Sequence, residues 1–269
     1  MRAFSRSRLT ELIGSRPLSA RSVLASALLG SDNGRLTVAE LVAVASQFGI
    51  SAGAARTCLW RMVSNDELIG DDRSYALAGR LSERRQRVDE ASRIDDAARV
   101  WDGTWELAIV SLDRRSASDR LELRKAATAL HLAELREGVW IRPENLDPQR
   151  LPTIRAVLDR QCIHFHGAAT DIAAARVRSL FSLDDWAADA GILIEAMNEA
   201  LTAGNREESA EGFTYEFALS IAVVRQLQFD PLLPVEFTAD DWPGDALRRT
   251  YRRFDHAFKQ RINSVFRRS

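Results

Sequence analysis

Residues Leu36 to Leu77 constrain this chain more than any other stretch, because they read in order as a capped helix, a glycine turn, a second capped helix and a short hairpin. Thr37-Val38-Ala39-Glu40 is a capping box, in which the Thr37 hydroxyl accepts from an amide of the first turn and Glu40 reaches back to the cap. Behind it Leu41, Val44, Ala45 and Phe48 fall at i, i+3, i+4 and i+7, an apolar stripe of helical period. Gly49 permits the left-handed conformation that ends a helix. Ile50 then plugs toward the core and Ser51 caps a second helix, whose inward positions are Ala55, Leu59, Met62 and Val63. Its outward face holds Gly53, Arg56, Thr57, Trp60 and Arg61. Leu68-Ile69 and Tyr75-Ala76-Leu77 flank the polar turn Gly70 to Ser74, two short extended segments that read as a β-wing.

This is the order that a winged helix-turn-helix requires, in which the second helix lies in the major groove with its N-terminal side chains at the base edges. The pattern predicts double-stranded DNA as the first partner. Arg56 and Thr57 are the main base readers, since Arg is the commonest reader of guanine, and Arg61, Ser51, Gly53 and Trp60 share their face. Arg73 is placed to touch phosphate, against the repulsion of Asp71 and Asp72. The residues alone leave one alternative, a small helical interaction domain with two exposed arginines and no DNA.

With 269 residues, 46% of them hydrophobic, the chain is long enough for two or three compact domains. A net charge of −1 does not by itself suggest nucleic acid, but the charges are segregated. Residues 1–93 hold 14 Arg against 10 acidic side chains, residues 171–245 hold 4 Arg against 15 acids, and residues 246–269 return to 8 basic against 1 acidic. A basic N-terminal part beside an acidic region suits a protein that turns one end toward phosphate. Solvated faces are the plain alternative. Arg2, Arg6, Arg8, Arg16 and Arg21 form either an arm that reaches the DNA backbone or a disordered tail.

Cys58 and Cys162 are too few and too isolated for a disulfide framework, so a reducing compartment, the cytoplasm, is expected. No apolar run approaches the ~20 residues that span a bilayer, and the basic N-terminus leads into no signal-peptide core. Neither secretion nor membrane insertion is expected.

Beyond the wing, residues 81–100 are dense in charge, free of Pro and Gly, and read as a connecting helix. A second domain begins at Trp101-Asp102-Gly103. An apolar run of strand length from Trp105 to Leu112, a helix from about Ser118 to Leu130, extended pieces at Ala133 to Leu135 and Val139 to Ile141, a helix from Pro152 to Arg160 and an extended Cys162 to His166 give β-α-β-β-α-β. That is the ferredoxin-like order. From about Leu180 the pattern is helical, at Trp186 to Ala203, Phe213 to Gln228 and Ala246 to Phe266. The segment Phe229 to Gly244 holds three prolines and is a structured loop. The expected class is therefore α+β multidomain: a winged helix-turn-helix over residues 1–80, a connecting helix over 81–100, a ferredoxin-like domain over 101–175 and a helical effector and dimerisation domain over 176–269.

The same residues resemble the PaaX-like family of bacterial transcriptional repressors, named for the regulator of phenylacetic acid degradation. Four motifs in order carry the resemblance. They are Gly49-Ile50-Ser51 with Arg56-Thr57 and Arg61; Trp101 to Trp105 with Arg120 to Leu123; Leu135 to Pro143; and Arg225 with Asp230-Pro231-Leu232-Leu233-Pro234 and Asp241-Trp242-Pro243-Gly244. The resemblance implies a homodimer on a palindromic operator, a central domain like that of small CRISPR-associated nucleases, and release from DNA by an aryl-acyl coenzyme A thioester, phenylacetyl-CoA. Before Arg225 the family often has His and Tyr where this chain has Ala222-Val223-Val224, which leaves the effector open.

Arg225 with Asp230 reads either as an ion pair fixing the helix-to-loop junction or as part of an effector pocket in which Arg meets a carboxylate or phosphate. Trp101, Trp105, Trp140 and Trp242 read as core or interface aromatics. Alternation places Cys162, His164 and His166 on one strand face, a weak zinc pattern against the alternative of a solvent-facing strand end. Asp113, at the end of the first central strand, is where the resembling nucleases place a metal-binding Asp, so a metal-dependent nuclease is the second functional class. No Gly-rich phosphate loop, nucleophile elbow or Cys-His pair is present, and no cofactor is expected.

Overall fold

A computed structural model describes residues 2–14, 17–71, 73–92, 100–168, 172–203 and 209–268. The fold is mixed α and β, with eleven helices and two small antiparallel sheets among those residues. The chain divides into two compact units, one of Met1–Ser92, Asp189–Leu227 and Gly244–Ser269, the other of Arg93–Ala188 and Gln228–Pro243.

The first unit begins with α1 (Arg2–Ile13) and α2 (Ala20–Gly30). A short strand β1 (Arg35–Thr37) leads into α3 (Val38–Gln47) and α4 (Ala52–Ser64), followed by β2 (Leu68–Gly70), β3 (Ser74–Leu77) and α5 (Gly79–Ser92). The core between α2, α3 and α4 consists of side chains at helical spacing: Val23, Leu24 and Leu28, Leu41 and Val44, and Ala55, Leu59 and Met62, all buried. The three strands order as β1-β3-β2, with Leu36 opposite Tyr75 and Leu68 opposite Leu77.

Residues 2–13 are helix rather than an extended arm or tail, and Arg8 on that helix has a distant partner. The Arg8 guanidinium donates from Nε and Nη2 to the two Asp189 oxygens, each at 2.8 Å. Arg16 lies outside the described residues, as does the 93–99 part of the expected connecting helix.

The second unit carries β4 (Thr104–Val110), α6 (Ala117–Ala129), β5 (Ala133–Arg136), β6 (Val139–Pro143), α7 (Pro152–Asp159) and β7 (Cys162–Ala168). Its sheet is antiparallel throughout, ordered β5-β6-β4-β7. Period-two alternation splits its side chains between two faces. Ala108, Trp140 and Cys162 pack with Leu123, Ala127, Leu130 and Leu158 of the helices, whereas Trp105 and Ile141 meet Val177, Trp101 and Phe237. Val177 belongs to α8 (Ala174–Leu180), one helix earlier than the expected onset of helical pattern.

Glu106 interrupts what reads in sequence as an apolar run, and it is nonetheless buried, because Arg155 of α7 forms a salt bridge with its carboxylate and His164 lies 3.3 Å from it. α9 (Leu183–Ala203) has residues in both units, and α10 (Ala210–Gln228) and α11 (Gly244–Arg268) belong mainly or wholly to the first. Phe213 and Phe217 of α10 pack on Phe48 and on Phe258 of α11. The proline-rich loop is irregular as expected and sits in the second unit, where Asn145 Nδ2 donates to Leu232 O at 2.9 Å.

Candidate nucleic-acid interface

The capping box at α3 forms as the residue types dictate: Glu40 N donates to Thr37 Oγ1 at 3.2 Å and Thr37 N to Glu40 Oε2 at 2.7 Å. Gly49 takes φ 69°, and the Ile50 amide donates back to Ala45 O at 3.1 Å, so the chain reverses within a few residues. Ser51 Oγ then accepts from Ala54 N at 3.3 Å and starts α4. The two helices are thus set by short-range chemistry, and the burial of Ala55, Leu59 and Met62 fixes the rotation of α4.

That rotation turns Ser51, Gly53, Arg56, Thr57, Trp60 and Arg61 outward, each exposed. Trp60 is 69% exposed, unusual for a large aromatic, and stands one turn beyond Arg56 and Thr57. Among the described residues no ion pair engages Arg56, Arg61 or Arg73, so their guanidinium groups are available to an anion. Cys58, half-buried beside them, has its thiol pushed up by burial and is held neutral at physiological pH.

The hairpin turn is organised by Asp71, whose Oδ1 accepts from Arg73 N at 2.9 Å and Ser74 N at 2.7 Å. Those amides hold the carboxyl below its ordinary range. The turn therefore presents the exposed Arg73 side chain while its backbone is locked, and Arg73 O accepts from Val38 N at 3.0 Å, joining the hairpin to the start of α3. Asp72 lies outside the described residues.

Two cations behave differently from their neighbours. Arg21 is paired with Glu67, its Nε 2.9 Å from Oε2. Arg35, which sequence reasoning passed over, donates from Nη1 to Ser74 Oγ at 2.7 Å and lies 3.7 Å from Asp71, in a shallow groove with Thr37 and Arg73. Its signal was its place one residue before Leu36, on a strand too short to declare itself.

Arg225 donates from Nη2 to Leu12 O at 2.5 Å, satisfying a terminal carbonyl of α1. Asp230 is buried and accepts from Leu232 N at 3.1 Å. Trp140 and Trp105 are core, and Trp242 stacks on Trp186 at 4.7 Å between ring centroids. Cys162, His164 and His166 do share a strand face, with Cys162 buried, His164 3.0 Å from Asp159 and His166 2.8 Å from Glu144. Asp113 is exposed after the end of β4. Among the described residues no three His, Cys, Asp or Glu side chains converge as a metal site, and no helix is long and apolar enough to cross a membrane.

Three family models match the chain in order: PaaX-like protein over residues 19–84, PaaX protein central Cas2-like domain over 98–176, and PaaX-like protein C-terminal domain over 183–268. Among solved structures, an uncharacterized protein, Rv0674 from Mycobacterium tuberculosis, is similar at 33% sequence identity and a TM-score of 0.64, over 92% of this chain and 98% of that one. No curated protein matches.

Proposed function

The chain belongs to the PaaX-like family, and from that membership, which points to regulation of phenylacetic acid catabolism, we propose that it is a ligand-responsive, DNA-binding transcriptional repressor of an aromatic-acid catabolic operon. In this reading α2, α3 and α4 with the three-stranded sheet are a winged helix-turn-helix, and the β5-β6-β4-β7 unit is a ferredoxin-like domain whose strand order is that of split βαβ units. The observation that carries the reading is the outward face of α4: Arg56, Thr57, Trp60 and Arg61 are exposed beyond a capped, tightly turned helix pair, with Ser51 and Gly53 at its start. Arg56, Thr57 and Arg61 face the major groove, Arg73 meets phosphate, and Arg21 does so by exchanging Glu67 for the backbone.

Repression and release follow from unequal ligand binding to two conformations of a homodimer, worth typically ~1 to 3 kcal/mol of coupling. An aryl-acyl-CoA is the effector implied by the family, and Arg225 contacts it on leaving Leu12 O. The protein acts in the cytoplasm and needs no cofactor. The nuclease alternative gains no support from the exposed Asp113, which stands apart from any acidic cluster among the described residues.

The test is binding of the purified chain to the intergenic DNA upstream of its own gene, titrated with salt and then with phenylacetyl-CoA. Specific, salt-sensitive binding released by the thioester is the expected result. Binding without release keeps the repressor and removes the thioester as effector; binding no tighter than to unrelated DNA overturns the reading.

A further inference from the structure

Residues 246–269 hold 8 basic side chains against 1 acidic, and none of them belongs to the helix pair or the hairpin. The described cations of α11 are of two kinds. Leu247, Phe254 and Phe258 are buried and fix the rotation of the helix. On its flanks Lys259 pairs with Asp255 at 3.1 Å and with Asp32 at 3.0 Å, and Arg261 pairs with Glu216 of α10 at 2.5 Å. Arg248 is buried. By contrast Arg249, Arg252, Arg253, His256, Gln260 and Asn263 are exposed, and the helical period gathers them within an arc of about 100°.

Among the described residues no ion pair engages Arg249, Arg252 or Arg253. A solvated helix face ordinarily mixes its charges so that neighbours one turn apart attract. Here Arg252 and Arg253 stand three and four positions after Arg249, so like charges repel along the stripe. Asp245, in the first turn, lies in line with them at one end only. An anion lying along the stripe relieves that repulsion.

The stripe adjoins the hairpin through one turn of chain. Arg252, His256 and Lys259 share a groove with Asp32, while Asn33, the next residue, shares a groove with Arg35 and Arg73. Consecutive Cα atoms are about 3.8 Å apart, so the two grooves are neighbours. The turn between them is fixed, because Arg85 donates from Nη1 to Ser31 O at 2.5 Å and from Nη2 to Asp32 O at 2.7 Å. Asp32 and Asp71 interrupt this surface, but Lys259 engages the first and the hairpin amides engage the second. A cationic surface therefore runs from Arg73 through Arg35 to α11 within the first unit.

We propose that the exposed stripe of α11 is a second DNA contact, which meets the phosphate backbone beyond the hairpin and outside the bases that α4 faces. The inference rests on the DNA-binding reading of the first unit. Guanidinium groups spaced along one helix face suit a repeating polyanion, and the stripe lacks the apolar side chains that a protein partner would bury. From Arg249 to Asn263 it is about 21 Å long, the rise of about six base pairs. Because it touches phosphate alone, it adds affinity and register without sequence preference.

The test uses the full chain in two forms, Arg249→Gln with Arg252→Gln and Arg253→Gln, and the same three positions changed to Lys, which keeps the charge that a phosphate requires. All three side chains are exposed, so both forms are expected to keep the wild-type circular dichroism. On the upstream intergenic DNA the Gln form is expected to bind roughly tenfold or more weakly at low salt, with the slope of log K against log salt shallower by about 2 to 3. Unrelated duplex weakens in parallel, and the Lys form keeps the wild-type slope. Ethylation of phosphates flanking the half-sites is expected to interfere with the wild type and the Lys form but not with the Gln form. A Gln form with the wild-type slope and interference pattern overturns the α11 contact and leaves the α4 reading standing. A slope that falls with no phosphate position lost overturns it as well, since net charge alone then accounts for the change. A wild-type chain that binds the intergenic DNA no tighter than unrelated duplex overturns the proposed function, and this contact with it.

Discussion

Arg21 and Glu67 form a two-pronged ion pair, with Nε 2.9 Å from one carboxylate oxygen and Nη2 donating to the other, across 46 residues of sequence. The pair ties the start of α2 to the residues between α4 and β2, and it occupies a cation that the DNA-binding reading sends to phosphate. Glu67→Gln weakens the competition. The expected outcome is a steeper dependence of log K on log salt, by about 0.9 for one added phosphate contact, with stability lowered by no more than about 1 kcal/mol because the pair is partly exposed. An unchanged slope removes Arg21 from the interface.

Gly53 separates folding from reading. It lies in the first turn of an exposed helix face with open space around it, so Gly53→Ala is expected to raise stability by about 0.5 to 1 kcal/mol. The same methyl stands on the face that the DNA-binding reading sets against bases, and on that reading it is expected to lower operator affinity. A thermal melt and a binding titration on one preparation check the opposite signs.

Gly79 is the contrasting glycine, at φ 47° with an added Cβ 2.6 Å from the Asp66 carbonyl oxygen. Backbone blocks it and the conformation disfavours any side chain. Gly79→Ala is expected to cost roughly 1 to 3 kcal/mol, read as a lowered denaturant midpoint.

The reading elements of the first unit were legible in sequence because their signals are local. Thr37 with Glu40, Gly49 and Ser51 act within four residues of themselves, and the inward positions of α4 follow from spacing alone. What escaped was long-range or short. The helical state of residues 2–13 is held by Arg8 on Asp189, 181 positions away, and no window of sequence contains that contact. Burial of Glu106 depends on Arg155, 49 positions away. β1 is three residues long and exists because β3 pairs with it. α2 is the exception, since its signals are local: Ser19 caps it and Val23, Leu24 and Leu28 fall at helical spacing.

Asp71 makes the hairpin turn acid-sensitive. The amides of Arg73 and Ser74 favour its ionised form, so its folded value lies below its ordinary one. Stability from such a group is present above the ordinary carboxylate range and is lost as pH falls through the depressed folded value. The Arg73 and Ser74 amide resonances are expected to move together over that acidic window, and Asp71→Ala abolishes the response. Resonances that stay fixed would show that the turn does not depend on Asp71.

The central claim is that the outward face of α4 reads bases. The most direct measurement is guanine methylation interference on the operator with the wild-type chain, Arg56→Ala and Arg73→Ala. Arg56→Ala is expected to lose interference at one guanine in each half-site and about 1 to 3 kcal/mol of specific affinity, whereas Arg73→Ala weakens all sequences alike and lowers the salt slope by about one contact. An Arg56→Ala chain with the wild-type interference pattern and affinity would contradict the account.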